Sequence, residues 1–390
     1  MSATAQPAQQ TQKLILIVDD TPTNIGVISG ALKDSYRTKI ATNGEKALAL
    51  AGAEEKPDLI LLDIMMPGMD GYEVCTRLKS DPATREIPVV FLTGQTGAED
   101  ETRGFEVGAV DYVHKPFSPA VVKARVRTHI LLREARAQLA AQLDALNEEL
   151  EMARQIQLSI LPQSIPQLPG LDIAARYSPM TSVAGDFYDF IQIDDQHLGI
   201  LIADVSGHGL PSALIASMIQ VALAGQAPHA SDPPKVLAGL NRALSGKFSM
   251  NFVTAAYVYV DLDKNLIRYA GAGHPPLLRF RHSEGKTTQL LENGIVLGMI
   301  PDAEYTALEI PLEPGDRHVL YTDGIPEAAT PEGEQFGFDR IQQYIETHRN
   351  VAAPQFADDF LGEISRWCNQ SAGQCQQQDD ITLLLFDYKP

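Results

Sequence analysis

The chain has 390 residues, of which 50 are acidic and 31 are basic, giving a formal net charge of −19. This length is enough for two domains of ordinary size and too great for one compact core. An acidic surface repels phosphate backbones and anionic lipid, so we expect no direct binding to nucleic acid and none to a membrane.

The start of the chain and its cysteines are typical of a cytoplasmic protein. Residues 1–12 are polar and contain no apolar h-region, which predicts a disordered tail and no signal peptide. No apolar run approaches the roughly 18 residues that a membrane-spanning helix needs. The three cysteines, Cys75, Cys368 and Cys375, show no CxxC spacing and are interpreted as reduced thiols.

Aliphatic runs alternate with helical patterns from residue 13 to residue 130. Continuous aliphatic runs, as expected of strands buried on both faces, occur at Leu14–Val18, Leu59–Leu62, Val89–Leu92 and, more briefly, Val110–Val113. Helical patterns lie between them at Asn24–Lys33, Gly44–Ala53 and Gly71–Lys79. This alternation predicts an α/β domain with a doubly wound parallel sheet.

Polar residues follow the predicted strands at their carboxyl ends, where ligands of such sheets gather. They are Asp19, Asp20, Asp63, Thr93 and Lys115. Three converging carboxylates need a cation between them, and oxygen ligands suit Mg²⁺. Asp63 could then attack a phosphoryl donor, Thr93 could hydrogen-bond the transferred group, and Lys115 could supply positive charge.

The segments ILIVDD, DLILLDIMMPGMDG, IPVVFLTG and DYVHKP resemble the response-regulator receiver family. The resemblance covers residues 13–130 and implies a five-stranded sheet, Asp63 as phospho-acceptor, and a sensor histidine kinase as donor. The Mg²⁺ ligands it implies are Asp19 (through water), Asp20, Asp63 and Met65 (main-chain carbonyl). It also implies a switch pair, Thr93 and Tyr112, and a cis bond between Lys115 and Pro116.

Residues 131–161 form a predicted linker helix, which has no glycine or proline before Pro162 and would extend for about eight turns. Its apolar residues follow a coiled-coil seam, namely Leu132, Leu139, Leu143, Leu146, Leu150 and Ala153. Arg136 and Gln157 fall on the same seam and make it imperfect. We expect a homodimer through this helix, although a plain amphipathic helix packed on a neighbour would give a similar pattern.

A proline cluster beginning at Pro162 ends this helix and opens a second domain, residues 162–390. Strands are predicted at Asp172–Tyr177, Leu198–Ala203, Phe252–Val260, Leu266–Ala270, Arg317–Tyr321 and Ile381–Phe386. Helices are predicted at Pro211–Gly225, Pro234–Ser245, Phe338–Thr347 and Pro354–Cys368. Strand clusters interrupted by helix pairs predict an α+β sandwich with two central sheets flanked by helices.

Acidic turns with neighbouring small residues recur in this second domain, at Asp186, Asp204, Asp323 and the pair Asp379–Asp380. Carboxylate sites without thiolates favour Mg²⁺ or Mn²⁺, and two such ions could activate a water for attack on a phosphate. Each Asp–Gly taken alone is more often a turn than a ligand. The set indicates a metal site only if its members converge in the fold.

The segments ARQIQLSILPQSIP, ARYSPMTSVAGDFYDF, IADVSGHGLPSAL, AGAGHPPLL, YTDGIPEAATPEGEQFGFDRI and QQDDITLLLFD resemble the PPM family of metal-dependent protein phosphatases. Within that family they are most similar to the SpoIIE-like branch that acts on sigma-factor regulators. The resemblance implies two Mn²⁺ or Mg²⁺ ions, with ligands Asp186, Asp204 (bridging), Val205 (main-chain carbonyl), Asp323 and Asp379, and Asp380 ranked second within its pair. His208 is a candidate general acid, although a histidine between two glycines is also compatible with a role in shaping the turn.

These observations predict a response regulator whose output is a serine/threonine protein phosphatase controlled by phosphorylation of Asp63. The resemblance implies that its substrate is a phosphorylated STAS-domain anti-sigma-factor antagonist. An alternative is a binding protein that sequesters a sigma-pathway partner with little turnover. A DNA-binding transcription factor is disfavoured, because the chain is acidic and no basic recognition helix follows Ile130.

Overall fold

A computed structural model of the chain describes residues 12–94, 98–248, 251–368 and 379–389, with the backbone alone for residues 98–101. The chain divides into two units, Met1–Ala145 and Leu146–Pro390. The predicted disordered tail falls almost wholly outside the described residues. None of the described helices is both long and apolar enough to cross a lipid bilayer.

The first unit contains one sheet of five parallel strands in the order β2-β1-β3-β4-β5. The strands are β1 (Leu14–Val18), β2 (Arg37–Ala41), β3 (Leu59–Asp63), β4 (Val89–Thr93) and β5 (Asp111–His114). The helices are α1 (Pro22–Leu32), α2 (Gly44–Ala51), α3 (Gly71–Ser80), α4 (Ala98–Glu106) and α5 (Pro119–Ile160). The predicted doubly wound sheet is confirmed.

Residues of β1 alternate between two hydrophobic cores, one on each face of this sheet. Ile15 and Ile17 pack with residues of α1 and α5, whereas Leu16 and Val18 pack with residues of α2 and α3. Both faces of the strand are therefore apolar, which is why an unbroken aliphatic run predicted it. The prediction missed β2, a mostly polar strand at the sheet edge that buries little of its surface.

Helix α5 is 42 residues long and continues from the first unit into the predicted linker. The Arg133 guanidinium donates to the carbonyl of Asp58 at 2.7 Å, so contacts with the first unit extend beyond Ile130. Four of the five leucines of the predicted seam are exposed, with Leu139 at 67% and Leu143 at 56%, and Leu150 is half-buried. The helix thus presents an apolar stripe to solvent within the described chain.

The second unit contains two mainly antiparallel sheets. The six-stranded sheet contains β7 (Phe187–Gln192), β8 (His197–Val205), β9 (Val253–Asp261), β10 (Leu266–Ala272), β13 (Asn293–Gly294) and β14 (Leu308–Pro311). The five-stranded sheet contains β6 (Leu171–Ser178), β11 (Leu277–Arg281), β12 (Lys286–Leu290), β15 (Arg317–Tyr321) and β16 (Ile381–Tyr388). The helices are α6 (Leu210–Ala224), α7 (Pro233–Leu244), α8 (Gly337–Thr347) and α9 (Ala353–Cys368), with a 3₁₀ turn at Ala227–His229.

Strand β16 is buried on both faces and separates two cores. Leu384 and Phe386 belong to the core that also contains residues of the six-stranded sheet, α6 and α7, whereas Leu383 and Leu385 belong to the core formed with α8 and α9. The predicted α+β sandwich with helices outside is therefore confirmed. The prediction missed β7 and the strands β11 to β14, of which β12 is a polar edge strand without an aliphatic run.

Candidate active site

The predicted acids of the first unit lie together at the carboxyl ends of its strands. Asp19 follows β1 and Asp63 is the last residue of β3. One carboxylate oxygen from each of Asp19, Asp20 and Asp63 lies within 4.8 Å of the others. This separation is compatible with shared coordination of a single cation, and an all-oxygen donor set fits Mg²⁺.

Lys115 balances part of this negative charge. Its ammonium donates to Asp63 Oδ2 at 2.7 Å and to Asp19 Oδ2 at 3.1 Å. Burial alone would lower the pKa of Lys115, but these two carboxylates raise it. The pKa of Asp63 is raised because burial outweighs its bond to Lys115. The predicted cis bond between Lys115 and Pro116 is present.

Asp19 and Asp20 differ in how far the protein itself occupies their oxygens. Asp19 is fully buried and accepts hydrogen bonds from the Thr21 amide and the Asn24 side chain as well as from Lys115. Asp20 is exposed and accepts a bond from the Thr21 hydroxyl at 3.2 Å. The oxygens of Asp20 are therefore less occupied by the protein than those of Asp19, and the water-mediated role of Asp19 stays a prediction.

The predicted switch residues are both buried. Thr93 ends β4 at 3% exposure, and Tyr112 in β5 is 7% exposed. The Tyr112 ring makes an edge contact with Phe105 at 5.1 Å between centroids. Its hydroxyl lies so close to the Gly104 backbone that a β-carbon on residue 104 would overlap it. The Met65 side chain is 66% exposed, whereas its amide points to Asp63 Oδ1 at 3.4 Å.

The acids of the second unit lie at the ends of two pairs of neighbouring strands. In the six-stranded sheet, Asp186 precedes β7 and Asp204 lies near the end of β8, which is hydrogen-bonded to β7. In the five-stranded sheet, Asp323 follows β15 by one residue, and Asp379 and Asp380 precede β16. Each sheet therefore contributes acidic residues from two adjacent strands.

Two threonines of one sheet hold an aspartate of the other. The hydroxyls of Thr322 and Thr382 donate to Asp186 Oδ2 at 2.8 and 2.6 Å. Thr322 also accepts the amide of Thr382 at 2.9 Å, which links the ends of β15 and β16. These bonds fix the Asp186 carboxylate across the space between the sheets. The prediction did not include these threonines, although both adjoin predicted aspartate motifs, TDG and DDIT.

The acids of this site repel one another in a buried setting. Burial raises the pKa of Asp186, and the neighbouring Asp204 raises it further, against the two threonine bonds. Burial also raises the pKa of Asp204, and Asp323, Asp379 and Glu327 add to the effect. The pKa of Asp323 is raised to about 6, first by burial and then by Asp379 and Glu327. Sequence reasoning did not single out Glu327, which lies in the segment TDGIPE.

Asp380 differs from the other acids because its carboxylate binds the backbone. Oδ1 accepts the Met180 amide at 2.8 Å, and Oδ2 accepts the Gly185 amide at 2.6 Å. Asp380 therefore anchors the turn that precedes Asp186. Asp379 instead acts on the acidic group through its charge, which raises the pKa of Asp204 and Asp323.

The Val205 carbonyl and His208 lie in the turn between β8 and α6. A β-carbon on Gly185 would be 2.8 Å from the Val205 carbonyl oxygen, so only glycine allows the backbone to approach so closely. His208 is exposed between Gly207 and Gly209, whose φ angles of 88° and 82° favour glycine. The turn thus presents the imidazole to solvent four residues after Asp204 in the chain.

The donor set of this site fits Mg²⁺ or Mn²⁺, since it consists of carboxylate and carbonyl oxygens. The leading influences on Asp204 all raise its pKa, so a bound cation would relieve repulsion that this group of acids leaves uncompensated. Among the described residues, no three of these acids come as close together as Asp19, Asp20 and Asp63 do.

Arg176 of β6 pairs with an acidic residue of α9. Its guanidinium donates to both carboxylate oxygens of Asp358 at 2.6 and 2.8 Å and to the carbonyl of Pro354. It therefore joins β6 to α9.

Comparison with known proteins finds a different family model for the N-terminal and for the C-terminal part of the chain. A family model for the response regulator receiver domain matches residues 15–127, and one for stage II sporulation protein E (SpoIIE) matches residues 194–389. Phosphoserine phosphatase RsbU of Bacillus subtilis is 32% identical over 245 residues, which are 63% of this chain and 71% of that protein. The solved SiaA-PP2C domain of Pseudomonas aeruginosa is 27% identical, covers 64% of this chain and 100% of its own, and has a TM-score of 0.57.

Relatives matched through the receiver alone are covered over a smaller share of their length. Response regulator PleD of Caulobacter vibrioides is 47% identical over 29% of this chain, which is 25% of that protein. A probable cyclic di-GMP phosphodiesterase of Vibrio cholerae is 49% identical over 139 residues, which are 36% of this chain and 31% of that protein. The fold and the acidic site define a phosphatase domain of the PPM class preceded by a receiver domain. The chain belongs to the SpoIIE family.

Proposed function

We propose that the chain is a response regulator whose metal-dependent serine/threonine phosphatase activity is controlled by phosphorylation of Asp63. One observation carries the phosphatase part of the proposal. Asp186 is buried and Asp204 is half-buried, Asp204 raises the pKa of Asp186, and acids from the opposite sheet raise the pKa of both. Such concentrated negative charge is costly unless cations bind there.

In the receiver, an oxygen of Asp63 would attack the phosphorus of a phosphohistidine on a sensor kinase. The new oxygen–phosphorus bond replaces the nitrogen–phosphorus bond, and the imidazole leaves on the kinase. Mg²⁺ held by Asp20, Asp63 and the Met65 carbonyl, with Asp19 behind a water, would supply charge neutralisation. Lys115, already within 2.7 Å of Asp63, would bind the phosphoryl oxygens. The Thr93 hydroxyl would donate to the same phosphoryl group, and the Tyr112 side chain would change its packing together with Thr93.

In the phosphatase domain, two Mn²⁺ or Mg²⁺ ions would supply Lewis acidity and an activated water for in-line attack on phosphorus. Asp186, Asp204, Asp323, Asp379 and the Val205 carbonyl would hold them. Thr322 and Thr382 keep the Asp186 carboxylate oriented. His208, exposed in the turn that follows β8, would donate a proton to the departing serine oxygen.

The proposed substrate is a phosphoserine on a STAS-domain anti-sigma-factor antagonist. The identity with RsbU, which is named a phosphoserine phosphatase, supports the phosphoserine part. A second relative, RsbP of Bacillus subtilis, carries the same designation. We further propose that the protein acts in the cytoplasm as a homodimer through α5, whose exposed leucine seam supports pairing.

The direct test is release of phosphate from p-nitrophenyl phosphate and from a phosphoserine protein at saturating Mn²⁺. We expect activity in the wild type and a loss of at least about 100-fold in Asp204→Asn, equivalent to about 2.7 kcal/mol of transition-state stabilisation. Asp195→Asn, in the exposed turn before β8, is the matched control and should retain activity. A wild type that is inactive with both substrates, whether or not Asp63 is phosphorylated, would refute the phosphatase proposal.

A further inference from the structure

Gln157, near the end of α5, makes a two-point contact with the backbone of the phosphatase domain. Its Nε2 donates to the Ala184 carbonyl at 2.6 Å, and its Oε1 accepts the Ala184 amide at 3.0 Å. The side chain is only 6% exposed. The sequence pattern placed Gln157 as an imperfection on the coiled-coil seam, but in the structure its side chain is buried and pairs with both backbone polar groups of Ala184.

Ala184, the residue whose backbone Gln157 holds, lies two residues before Asp186. Gly185, between them, donates its amide to Asp380 and packs against the Val205 carbonyl. The backbone of this turn is therefore held on one side by Asp380 and on another by the end of α5. The position of the Asp186 carboxylate depends on both supports, because a turn of three residues transmits a shift of its first residue to its last.

We propose that Gln157 is a positioning residue that fixes the turn from Ala184 to Asp186 against α5 and thereby sets the affinity of the phosphatase site for divalent cations. This inference rests on the proposed function, since it takes Asp186 and Asp204 as metal ligands. It deepens that function by naming the contact through which α5 acts on the site.

The contact is sensitive to small movements of the helix. A hydrogen bond of 3.0 Å is lost once the atoms separate beyond about 3.5 Å. One residue of an α-helix spans about 1.5 Å along the axis. A displacement of α5 by about 1 Å along the direction of these bonds, which is less than the rise of one residue, therefore lengthens both the 2.6 Å and the 3.0 Å bond beyond this limit. The neighbouring Leu158 and Leu161 pack in the core of the phosphatase domain and keep the helix end in place when Gln157 alone is changed.

A purely structural role would have a different signature. If Gln157 only stabilised the packing of α5, its replacement would lower the melting temperature without changing cation affinity in the folded protein. If it positions Asp186, the dissociation constant for Mn²⁺ rises in a protein that remains folded, and excess Mn²⁺ restores the catalytic rate.

The experiment compares Gln157→Ala and Gln157→Met in the full chain, where the methionine keeps most of the buried volume without either hydrogen bond. The matched control is Gln155→Ala, since Gln155 is exposed on the same turn and donates to Glu151 of the same helix. All proteins carry Asp20→Asn, so that the receiver acids contribute less to the titration. Mn²⁺ binding is measured by calorimetry and by electron paramagnetic resonance, and folding by thermal melting in EDTA.

We expect both Gln157 variants to bind Mn²⁺ roughly 10-fold or more weakly, as is usual when a residue supporting a metal ligand is removed. The control should match its Asp20→Asn parent. Unchanged Mn²⁺ affinity in the Gln157 variants would overturn the inference, as would weak binding in Gln157→Ala alone. Wild-type protein that binds Mn²⁺ but releases no phosphate would instead refute the proposed activity and leave the affinity comparison valid.

Discussion

Inserting residues into the exposed part of α5 tests whether this helix transmits a signal or only tethers two domains. Each inserted residue rotates the helix beyond it by about 100° and advances it by about 1.5 Å. Seven residues rotate it by about 700°, which is only 20° short of two full turns. A heptad therefore nearly restores the leucine seam, whereas one or two residues displace its two parts by about 100° or 200°.

The insertions belong after Ala145, between the two contacts that anchor the helix. Arg133 bonds the Asp58 carbonyl in the receiver, and Gln157 bonds Ala184 in the phosphatase domain. Side chains from Glu134 to Glu149 are exposed, so inserted residues displace no core. We use one alanine, two alanines, and a repeat of the natural heptad Leu139–Ala145.

The assay is Mn²⁺-dependent phosphate release with and without a small-molecule phosphodonor. We expect the heptad insertion to keep most of the change in rate that phosphorylation of Asp63 produces, and the one- and two-residue insertions to lose it. Identical behaviour of all three insertions would show that the helix is only a tether.

Three further predictions concern pairing, ligand orientation and thiol chemistry. The double substitution Leu139→Ser and Leu143→Ser should weaken self-association in analytical ultracentrifugation by at least about 100-fold, because each leucine contributes roughly 1.5 kcal/mol or more when buried. The control Asp144→Ser with Glu148→Ser, on the outer face of the helix, should leave self-association unchanged. Equal dissociation constants for the two double variants would exclude the seam as the interface. Thr382→Val removes a charge-assisted hydrogen bond to Asp186 worth about 1.5–3 kcal/mol, so Mn²⁺-dependent kcat/KM should fall about 10-fold or more. An unchanged kcat/KM would show that this hydroxyl does not orient the Asp186 carboxylate. Burial raises the pKa of the Cys75 thiol to about 11, so only about 0.1% of this thiol is thiolate at pH 8. Mass spectrometry after iodoacetamide treatment should therefore find Cys368 modified before Cys75 in the folded protein. Equal labelling rates of the two cysteines would contradict the burial of Cys75.

Much of the fold was predictable because buried strands leave a plain signature in the sequence. The runs Leu14–Val18, Leu59–Leu62 and Val89–Leu92 are apolar on both faces, and the structure places each in the centre of the sheet. Edge strands such as β2 and β12 escaped prediction because one neighbour and partial exposure impose little pattern. The register between neighbouring strands of a sheet is also not indicated by any local sequence pattern.

In the candidate site, too, the residues that could be predicted are those whose surroundings restrict the local sequence. Aspartates next to glycines were recognisable because close backbone approach restricts the residue types, as at Gly185 beside the Val205 carbonyl. The roles of Thr322, Thr382 and Gln157 depend on contacts across 136, 196 and 27 residues of chain, which no local spacing encodes. The same holds for Asp380, whose adjacency to Asp379 gave no hint that it binds the turn before Asp186.

The central claim is that phosphorylation of Asp63 controls a metal-dependent phosphatase. Its most direct test is the rate of phosphate release from a phosphoserine protein at saturating Mn²⁺, for wild type and Asp63→Asn, each with and without acetyl phosphate. We predict that acetyl phosphate changes the rate of the wild type and leaves Asp63→Asn unaffected. Equal rates in all four conditions would contradict control by the receiver.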